Sequence, residues 1–196
     1  MPRQAPMVST TLHTLADLLR LPDPDLPHEL WRGDLRPVMP ASHSHGVAVV
    51  RIGSVLDRYV DEHDLGAVSS DTGFILARDP DTVLCPDVAF VSNLRLPPGE
   101  IDSSFADYAP DLAVEVVSPS NRTGELKAKV GMYLDLGTDT VWVLHPNQRW
   151  LRIYSRVGGH EAPALTLRGD DTVVDGGMAL PGFSCRLADL LPRRRR

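Results

Sequence analysis

The sequence predicts an α/β protein, in which a mixed β-sheet is flanked by helices and preceded by an N-terminal helix and a β-hairpin. Two observations predict this class. Stretches with helical hydrophobic spacing alternate with short stretches rich in β-forming residues, and 196 residues suffice for one sizeable core but not for two. We therefore expect a single domain over residues 1–196, with a core from about residue 10 to 191 and a basic tail at 192–196.

Helices are predicted at two places in the first third of the chain. The first is a short amphipathic helix that follows the cap candidates Ser9 and Thr10 and stops at Pro22. Its apolar stripe consists of four leucines, namely Leu12, Leu15, Leu18 and Leu19. The second is a long helix over residues 44–63 that ends before Gly66. Its stripe comprises Val47, Val50, Ile52, Val55, Leu56 and Val60.

A β-hairpin is predicted between these two helices. Residues 28–32 and 35–39 are strand-like, and they flank Gly33–Asp34, a pair that suits a tight turn. Because Pro37 lacks a backbone donor, we expect the second strand of the hairpin at the edge of a sheet.

The rest of the chain alternates strand-like and helical segments. Strands are predicted where β-forming residues are bounded by Pro, Gly or polar residues: 66–76, 82–91, 111–117, 140–146, 150–156 and, weakly, 172–174. A helix is predicted over 123–136, with cap candidates in 118–121 and an end at Gly137. A last turn of helix is predicted at 187–191.

Composition and charge restrict the class of protein. No apolar run approaches the roughly 20 residues of a membrane helix, and the N-terminus lacks the pattern of a secretory signal, so we expect a cytoplasmic protein without membrane contact. The net charge of −6 argues against non-specific coating of nucleic acid, yet clustered acids could form a cation site. Cys85 and Cys185 are expected to be buried apolar residues rather than a disulfide.

Two acidic residues lie in strand segments that otherwise look buried. A period of two in 82–91 places Asp87 on an apolar face, and the same period in 111–117 places Glu115 beside small residues. Burying an ionised carboxylate costs several kcal/mol unless it is paired, hydrogen-bonded or metal-bound. A divalent cation between neighbouring strands would satisfy both acids, and Mg²⁺ prefers such carboxylate ligands.

A purely structural explanation also exists for each acid. Asp87 could cap a turn after Pro86, and Glu115 could pair with a nearby Lys or Arg. Either explanation suffices for one acid alone, whereas the occurrence of both acids together favours the cation site.

A metal site of this kind hydrolyses phosphodiesters by activating water and stabilising charge on the phosphate, and a cation from the protein usually assists. The candidates are Lys127 and Lys129 on the helix that follows Glu115. They fall on opposite shoulders of the apolar stripe of this helix, so periodicity does not choose between them. Solvation of both lysines is the alternative.

Seven segments carry a family resemblance. They are HELWRGDL at 28–35, His45–Gly46 at the start of the long helix, CPDVAFV at 85–91, PDLAVEVVSPSNR at 110–122, the Lys129 to Tyr133 spacing followed by Gly137, VWVLHP at 141–146, and ALPGFSCRLADLL at 179–191. With this ordered set the sequence resembles the bacterial Uma-type putative restriction endonuclease family, a branch of the PD-(D/E)xK nuclease superfamily.

The resemblance implies a restriction-endonuclease-like fold and a set of site residues. It implies that Asp87 and Glu115 hold Mg²⁺ or Mn²⁺ and that a lysine orients or polarises the attacking water. The usual lysine position, two residues after the Glu, holds Val117 in this sequence. In this branch the lysine stands on the following helix, four residues before a Tyr, which selects Lys129 over Lys127.

Two further residues match family positions near the site. Glu29 matches an acid of the N-terminal hairpin that supplies a ligand or a hydrogen bond, and surface pairing with Arg32 or Arg36 is the alternative. His45 matches a histidine at the start of the long helix, where a phosphate-facing donor or a helix cap is expected. A transition-metal site at His43 and His45 is disfavoured, because these residues open a helical stripe rather than lie on a strand.

Three functional hypotheses follow. The first is a Mg²⁺- or Mn²⁺-dependent endonuclease that hydrolyses DNA phosphodiesters, expected as a homodimer if it cuts both strands. The second is a catalytically inert protein of the nuclease fold that serves as a nucleic-acid or protein interaction module. The third is a metal hydrolase that acts on another substrate. The Asp, Glu and Lys set favours the first, while net acidity and the absence of a basic groove in the sequence favour the second.

Overall fold

The structure is a computed structural model, and it describes residues 11–21, 27–99, 101, 104–118, 122–158, 163 and 165–193. Within these ranges the helices are α1 (Leu15–Leu18), α2 (His43–Glu62), α3 (Thr123–Asp135) and α4 (Leu187–Leu190). The strands are β1 (His28–Trp31), β2 (Asp34–Pro37), β3 (Gly66–Ser69), β4 (Phe74–Ala77), β5 (Thr82–Leu84), β6 (Val88–Ser92), β7 (Leu112–Val116), β8 (Thr140–His145), β9 (Trp150–Ser155), β10 (Leu165–Arg168), β11 (Val173–Asp175) and β12 (Ser184–Arg186).

Three sheets organise the described strands. The largest is six-stranded, in the order β10-β9-β8-β7-β6-β3, and only its β7–β8 pair is parallel. A four-stranded antiparallel sheet has the order β2-β1-β5-β4, and β11 pairs with β12. Helix α3 connects β7 to β8, as a parallel pair requires. The predicted α/β class with a mixed sheet and an N-terminal hairpin is thus confirmed.

Both faces of the six-stranded sheet are covered, and β7 shows how. Leu112, Val114 and Val116 pack with residues of α2 and α4, whereas Ala113 packs with residues of α3. Because successive side chains of a strand point to opposite faces, Glu115 shares the α3 face with Ala113. The alternation of side chains along β7 therefore directs Glu115 towards α3.

The segments 66–76 and 82–91 were each predicted as one strand, and both predictions were wrong. The chain leaves the six-stranded sheet after β3, forms the β4–β5 hairpin in the four-stranded sheet, and returns as β6. Asp87 therefore lies in the bend between β5 and β6, not within a strand. The alternation of apolar residues does not reveal this break, because β5 and β6 are buried on both faces.

Smaller differences concern the ends of elements. Helix α1 begins after Thr14, whose side chain accepts from the Asp17 amide, and Leu12 lies outside it. The predicted caps Ser9 and Thr10 lie outside the described residues. Helix α3 begins after Arg122, which makes no side-chain cap hydrogen bond. Of the predicted cap candidates 118–121, residues 119–121 lie outside the described residues.

The turns and the C-terminal strands also refine the prediction. The hairpin turn is Arg32–Gly33, one residue earlier than predicted, because both residues have positive φ and Trp31 pairs with Asp34. Strands β10 and β12 were not predicted, while the 140–146 and 150–156 strands are present as β8 and β9. Cys85 and Cys185 are free and only partly buried.

Candidate active site

Asp87 and Glu115 lie side by side across the β6–β7 pair. The antiparallel register matches Val88 with Val114 and Ala89 with Ala113, and its continuation by one residue places Asp87 opposite Glu115. The Val116 amide donates a hydrogen bond of 2.6 Å to Asp87 Oδ2, which fixes this carboxylate at the end of β7. The two predicted metal ligands therefore meet at one edge of the sheet pair.

His45 holds the other oxygen of Asp87. Its Nε2 lies 3.1 Å from Asp87 Oδ1, and it stands in the first turn of α2, which is capped by Ser42. Burial alone would lower the pKa of His45, but the hydrogen bond to Asp87 and the charges of Asp87 and Glu115 raise it above its usual value. The Nδ1 atom of His45 is buried without a hydrogen bond among the described residues.

Glu115 is buried and is contacted by two side chains of α3. Lys129 Nζ lies 2.8 Å from Oε1, and the Tyr133 hydroxyl donates to the same oxygen at 3.0 Å. Burial raises the pKa of Glu115 to about 8; the Lys129 charge opposes this shift, and the charges of Asp87 and Glu29 add to it.

Lys129 bridges two acids from different sheets. Its Nζ lies 2.7 Å from Glu29 Oε1 on β1, 2.8 Å from Glu115 Oε1 on β7, and 3.1 Å from the Cys85 carbonyl oxygen. Burial would lower the pKa of Lys129, but the two carboxylates raise it above its usual value. The lysine is therefore a fixed ammonium group, which donates hydrogen bonds.

Glu29 is a buried anchor rather than a surface partner of arginine. Its Oε1 accepts from the Cys85 amide at 2.8 Å, and its Oε2 accepts from Trp31 Nε1 at 2.8 Å. The side chain is 7% exposed. The alternative of surface pairing with Arg32 or Arg36 was therefore wrong.

These side chains line a pocket of about 840 Å³. Its lining includes five carboxylates, of Glu29, Asp71, Asp87, Glu115 and Glu125, and three cations, of Arg36, Arg122 and Lys129, beside His45. Burial and the Asp87 charge raise the pKa of Asp71, so the acids interact with one another. Acidic side chains thus outnumber basic ones along the pocket.

A match to a protein-family model identifies the family of the chain. Residues 15–188 match the model of the Uma2 family, described as "Putative restriction endonuclease". The chain belongs to the Uma2 family. The family resemblance found in the sequence is confirmed. The matched region includes all five candidate site residues, Glu29, His45, Asp87, Glu115 and Lys129.

A solved structure shares the Uma2 chain's fold. It is the crystal structure of a putative nuclease belonging to DUF820 from Anabaena variabilis ATCC 29413, with 19% sequence identity and a TM-score of 0.78. The match covers 90% of this chain and 96% of that chain. No curated protein matches the sequence. No helix in the described ranges is long and apolar enough to cross a membrane.

The structure brings together the five residues that the sequence and the Uma2 resemblance suggested: Glu29, His45, Asp87, Glu115 and Lys129. Lys127 does not join them, because it is exposed and lines an adjoining groove. His43 is also exposed, outside the pocket. The sequence also allowed a purely structural explanation, in which Glu115 pairs with a nearby Lys or Arg. This pairing is present, because Glu115 contacts Lys129.

Two residues of the pocket environment were not predicted as site residues. Tyr133 stands four residues after Lys129 and hydrogen-bonds the same oxygen of Glu115, so its helical spacing carried the signal. Asp71 lines the pocket near Asp87, but it was hidden in a segment predicted as one strand. Asp71 reaches the pocket because the chain leaves the six-stranded sheet after β3 to form the β4–β5 hairpin.

The donor set fits a hard divalent cation in part. Asp87 and Glu115 supply carboxylate oxygens, and the excess negative charge would be offset by such an ion. Across the described ranges, however, no three His, Cys, Asp or Glu side chains are grouped closely enough to hold a metal by themselves. Water or substrate oxygens would have to complete the coordination, as Mg²⁺ commonly requires.

Proposed function

We propose that the protein is a Mg²⁺- or Mn²⁺-dependent endonuclease that hydrolyses DNA phosphodiester bonds. Asp87 and Glu115 would hold the metal, and Lys129 would assist the attacking water. One observation carries the proposal: the two carboxylates lie opposite each other at the edge of β6 and β7, with Lys129 Nζ 2.8 Å from Glu115. Membership of the Uma2 family supports it.

In the proposed reaction the oxygen of a water molecule forms a bond to phosphorus, the bond to one ester oxygen breaks, and that oxygen takes a proton. A divalent cation bound by Asp87 and Glu115 would lower the pKa of the water and offset phosphate charge. Lys129, held as an ammonium group by two acids, donates a hydrogen bond and does not accept the proton. Its task is to orient the water or to stabilise charge on the phosphate.

The other three residues position this group. His45 fixes Asp87 through Oδ1, while Glu29 fixes Lys129 from the opposite side. Tyr133 donates to Oε1 of Glu115 and thereby keeps Oε2 directed elsewhere. We infer that Glu29 and His45 act by positioning the residues that contact metal and substrate.

The test is cleavage of plasmid DNA by the purified full chain with Mg²⁺ or Mn²⁺, compared with Asp87→Ala. Asp57→Ala is the matched control, because Asp57 is exposed on α2, about three turns beyond His45. We expect cleavage by the wild type and the control, and loss of at least 100-fold in Asp87→Ala. Equal cutting by Asp87→Ala, or no cutting by the wild type, would refute the catalytic proposal.

Calorimetric titration with Mn²⁺ tests the metal separately. Binding that disappears in both Asp87→Ala and Glu115→Gln supports the proposed ligands. The competing candidate is an inert module of the nuclease fold, favoured by the lack of a three-residue metal cluster within the described ranges. Absence of Mn²⁺ binding together with absence of cleavage would favour that module.

A further inference from the structure

A second concave surface adjoins the catalytic pocket. It has a volume of about 530 Å³ and lies between the β1–β2 hairpin and α3. The charged residues that line it are three cations, Arg32, Arg36 and Lys127, and one acid, Asp135. We call this surface the basic groove. Its positive charge contrasts with the net charge of −6 of the whole chain.

Two residues form the boundary between the groove and the pocket. Trp31 and Arg36 line both concavities, and the Arg36 guanidinium carbon lies 4.3 Å above the centre of the Trp31 ring. Trp31 in turn donates a hydrogen bond to Glu29, which contacts Lys129. The basic groove is therefore continuous with the site, and its boundary is bonded to the catalytic group.

The cations of the groove are available to a ligand. Arg32 lies 3.8 Å from Asp135 with 61% of its side chain exposed. Arg36 lies 2.9 Å from Asp34 and 3.9 Å from Glu125, with 39% of its side chain exposed. Ion pairs at such exposure are weak in water and are screened by salt. Lys127 is exposed as well. A phosphate group could therefore replace the carboxylate partners of both arginines, and a guanidinium binds phosphate through two parallel hydrogen bonds.

We propose that the basic groove binds the phosphodiester backbone of the DNA strand whose scissile phosphate enters the catalytic pocket. Arg36 contacts the backbone at the boundary, and Arg32 and Lys127 contact phosphates on the side away from the pocket. This inference rests on the proposed function, since it assigns the path of the substrate to that site. It gives Lys127, the lysine that does not reach the carboxylates, a role in substrate binding.

The groove also explains how an acidic chain would bind a polyanion. Binding of DNA depends on cations that displace counterions from phosphates, and each such contact adds to the salt dependence of the affinity. The lining of the groove holds three cations and one acid beside an acidic pocket, and Lys127 among these cations is exposed. An acidic protein segment could also bind these cations. However, it would not explain why the groove is continuous with the carboxylate pocket.

The test is the salt dependence of binding to a labelled DNA duplex, measured in EDTA so that metal-dependent cleavage does not occur. The variants are Arg32→Gln and Lys127→Gln, with Lys127→Arg to restore the charge. The control Arg58→Gln removes the same charge from an exposed position of α2. We expect each Gln variant to weaken binding several-fold and to lower the slope of log K against log salt by about 0.9. Lys127→Arg and the control should keep the wild-type slope.

Two results would refute the proposal that the basic groove binds DNA. Either the wild-type protein does not bind the duplex, or the Gln variants show the same slope of log K against log salt as the control. Cleavage assays then separate the two proposals. In an active enzyme, Arg32→Gln and Lys127→Gln should raise KM and leave kcat nearly unchanged, while Asp87→Ala lowers kcat. Altered salt slopes without any wild-type cleavage would refute the nuclease proposal and leave the groove supported.

Discussion

Lys129 and Glu115 join α3 to β7 through a contact of 2.8 Å between Nζ and Oε1. The contact is buried, and the same ammonium group reaches Glu29 on the other sheet. One lysine therefore offsets two buried acids and connects both sheets to α3. This arrangement makes Lys129 important for stability as well as for the proposed reaction.

We predict that Lys129→Met destabilises the metal-free protein by about 3–5 kcal/mol, because it leaves two buried acids without their cation. Above pH 8, where Glu115 of the folded wild type is ionised, the double variant Lys129→Met with Glu115→Gln should recover part of this loss, since one of the acids is then neutral. The measurement is urea unfolding followed by circular dichroism. Lys127→Met, at an exposed position, is the control and should change stability by less than about 0.5 kcal/mol. Equal effects of the two single variants would contradict the prediction.

We predict that the stability of the metal-free protein falls as pH rises between the ordinary pKa of Glu115, 4.5, and its value of about 8 in the folded protein. In this interval the folded state binds the proton more tightly than the unfolded state, so folding becomes less favourable as protons become scarce. Glu115→Gln should reduce this slope, because glutamine does not titrate. The slope of stability against pH is measured from urea denaturation midpoints across this pH interval.

The raised pKa of His45 acts in the same direction, since its stabilising effect is lost as pH rises through the folded value. His45 is present in both proteins, so only the difference between wild type and Glu115→Gln reports on Glu115. Asp57→Asn should keep the wild-type slope. Parallel curves for wild type and Glu115→Gln would count against a raised pKa at Glu115.

A third prediction concerns Arg95, which joins several loops. Its guanidinium donates to the carbonyl oxygens of Ala109 at 3.0 Å and Gly137 at 3.0 Å, and it pairs with Asp111 and Asp139. Arg95→Ala removes these contacts, while Asp139 keeps its ion pair with Arg156 and Asp111 keeps the Ser92 amide, so we expect a loss of about 2 kcal/mol.

The matched control for Arg95→Ala is Arg78→Ala. Arg78 pairs with Asp107, but both side chains are more than half exposed. We expect a change of no more than about 1 kcal/mol for this exposed pair. Urea unfolding compares the two variants, and a similar loss in both would argue that burial of the Arg95 contacts is unimportant.

A fourth prediction concerns the two thiols. Burial and the Glu29 charge raise the pKa of Cys85 to about 12, and burial likewise raises that of Cys185 to about 12. At neutral pH the thiolate fraction should be roughly a thousandfold below that of a free cysteine. We expect slow alkylation of the folded protein by iodoacetamide and fast alkylation in urea, measured by mass spectrometry. Rapid labelling of Cys85 in the folded protein would contradict this.

Much of the fold could be predicted because local signals were strong. Helix α2 and the β8–β9 hairpin are both present close to their predicted bounds. The predicted apolar stripe of α2 is confirmed at Ile52, Leu56 and Val60, but it was wrong at Val50, which is exposed, while Ala48 is buried instead. Glu115 could be singled out because a carboxylate in a buried strand needs a partner, and the structure supplies Lys129. The roles of these residues in catalysis stay predictions.

The parts of the fold and of the site that were not predicted depend on long-range contacts, which hydrophobic periodicity does not encode. Asp87 was selected as a residue inside a strand, whereas it lies in a bend, so its position beside Glu115 was predicted for a wrong reason. The two-sheet excursion that brings Asp71 to the pocket involves long-range pairing of β3 with β6. The choice between Lys127 and Lys129 required the position of α3 against β7, which the helix pattern alone leaves open.

The bridge from Glu29 through Lys129 to Glu115 has a consequence for folding. Glu29 accepts from the Cys85 amide, 56 residues away in sequence, and Lys129 donates to the Cys85 carbonyl oxygen, 44 residues away. Contacts of such long range close large loops and form slowly. The carboxylates and the ammonium group therefore converge only after both sheets have docked. A partly folded chain lacks this constellation, so any activity that depends on it begins only when folding is complete.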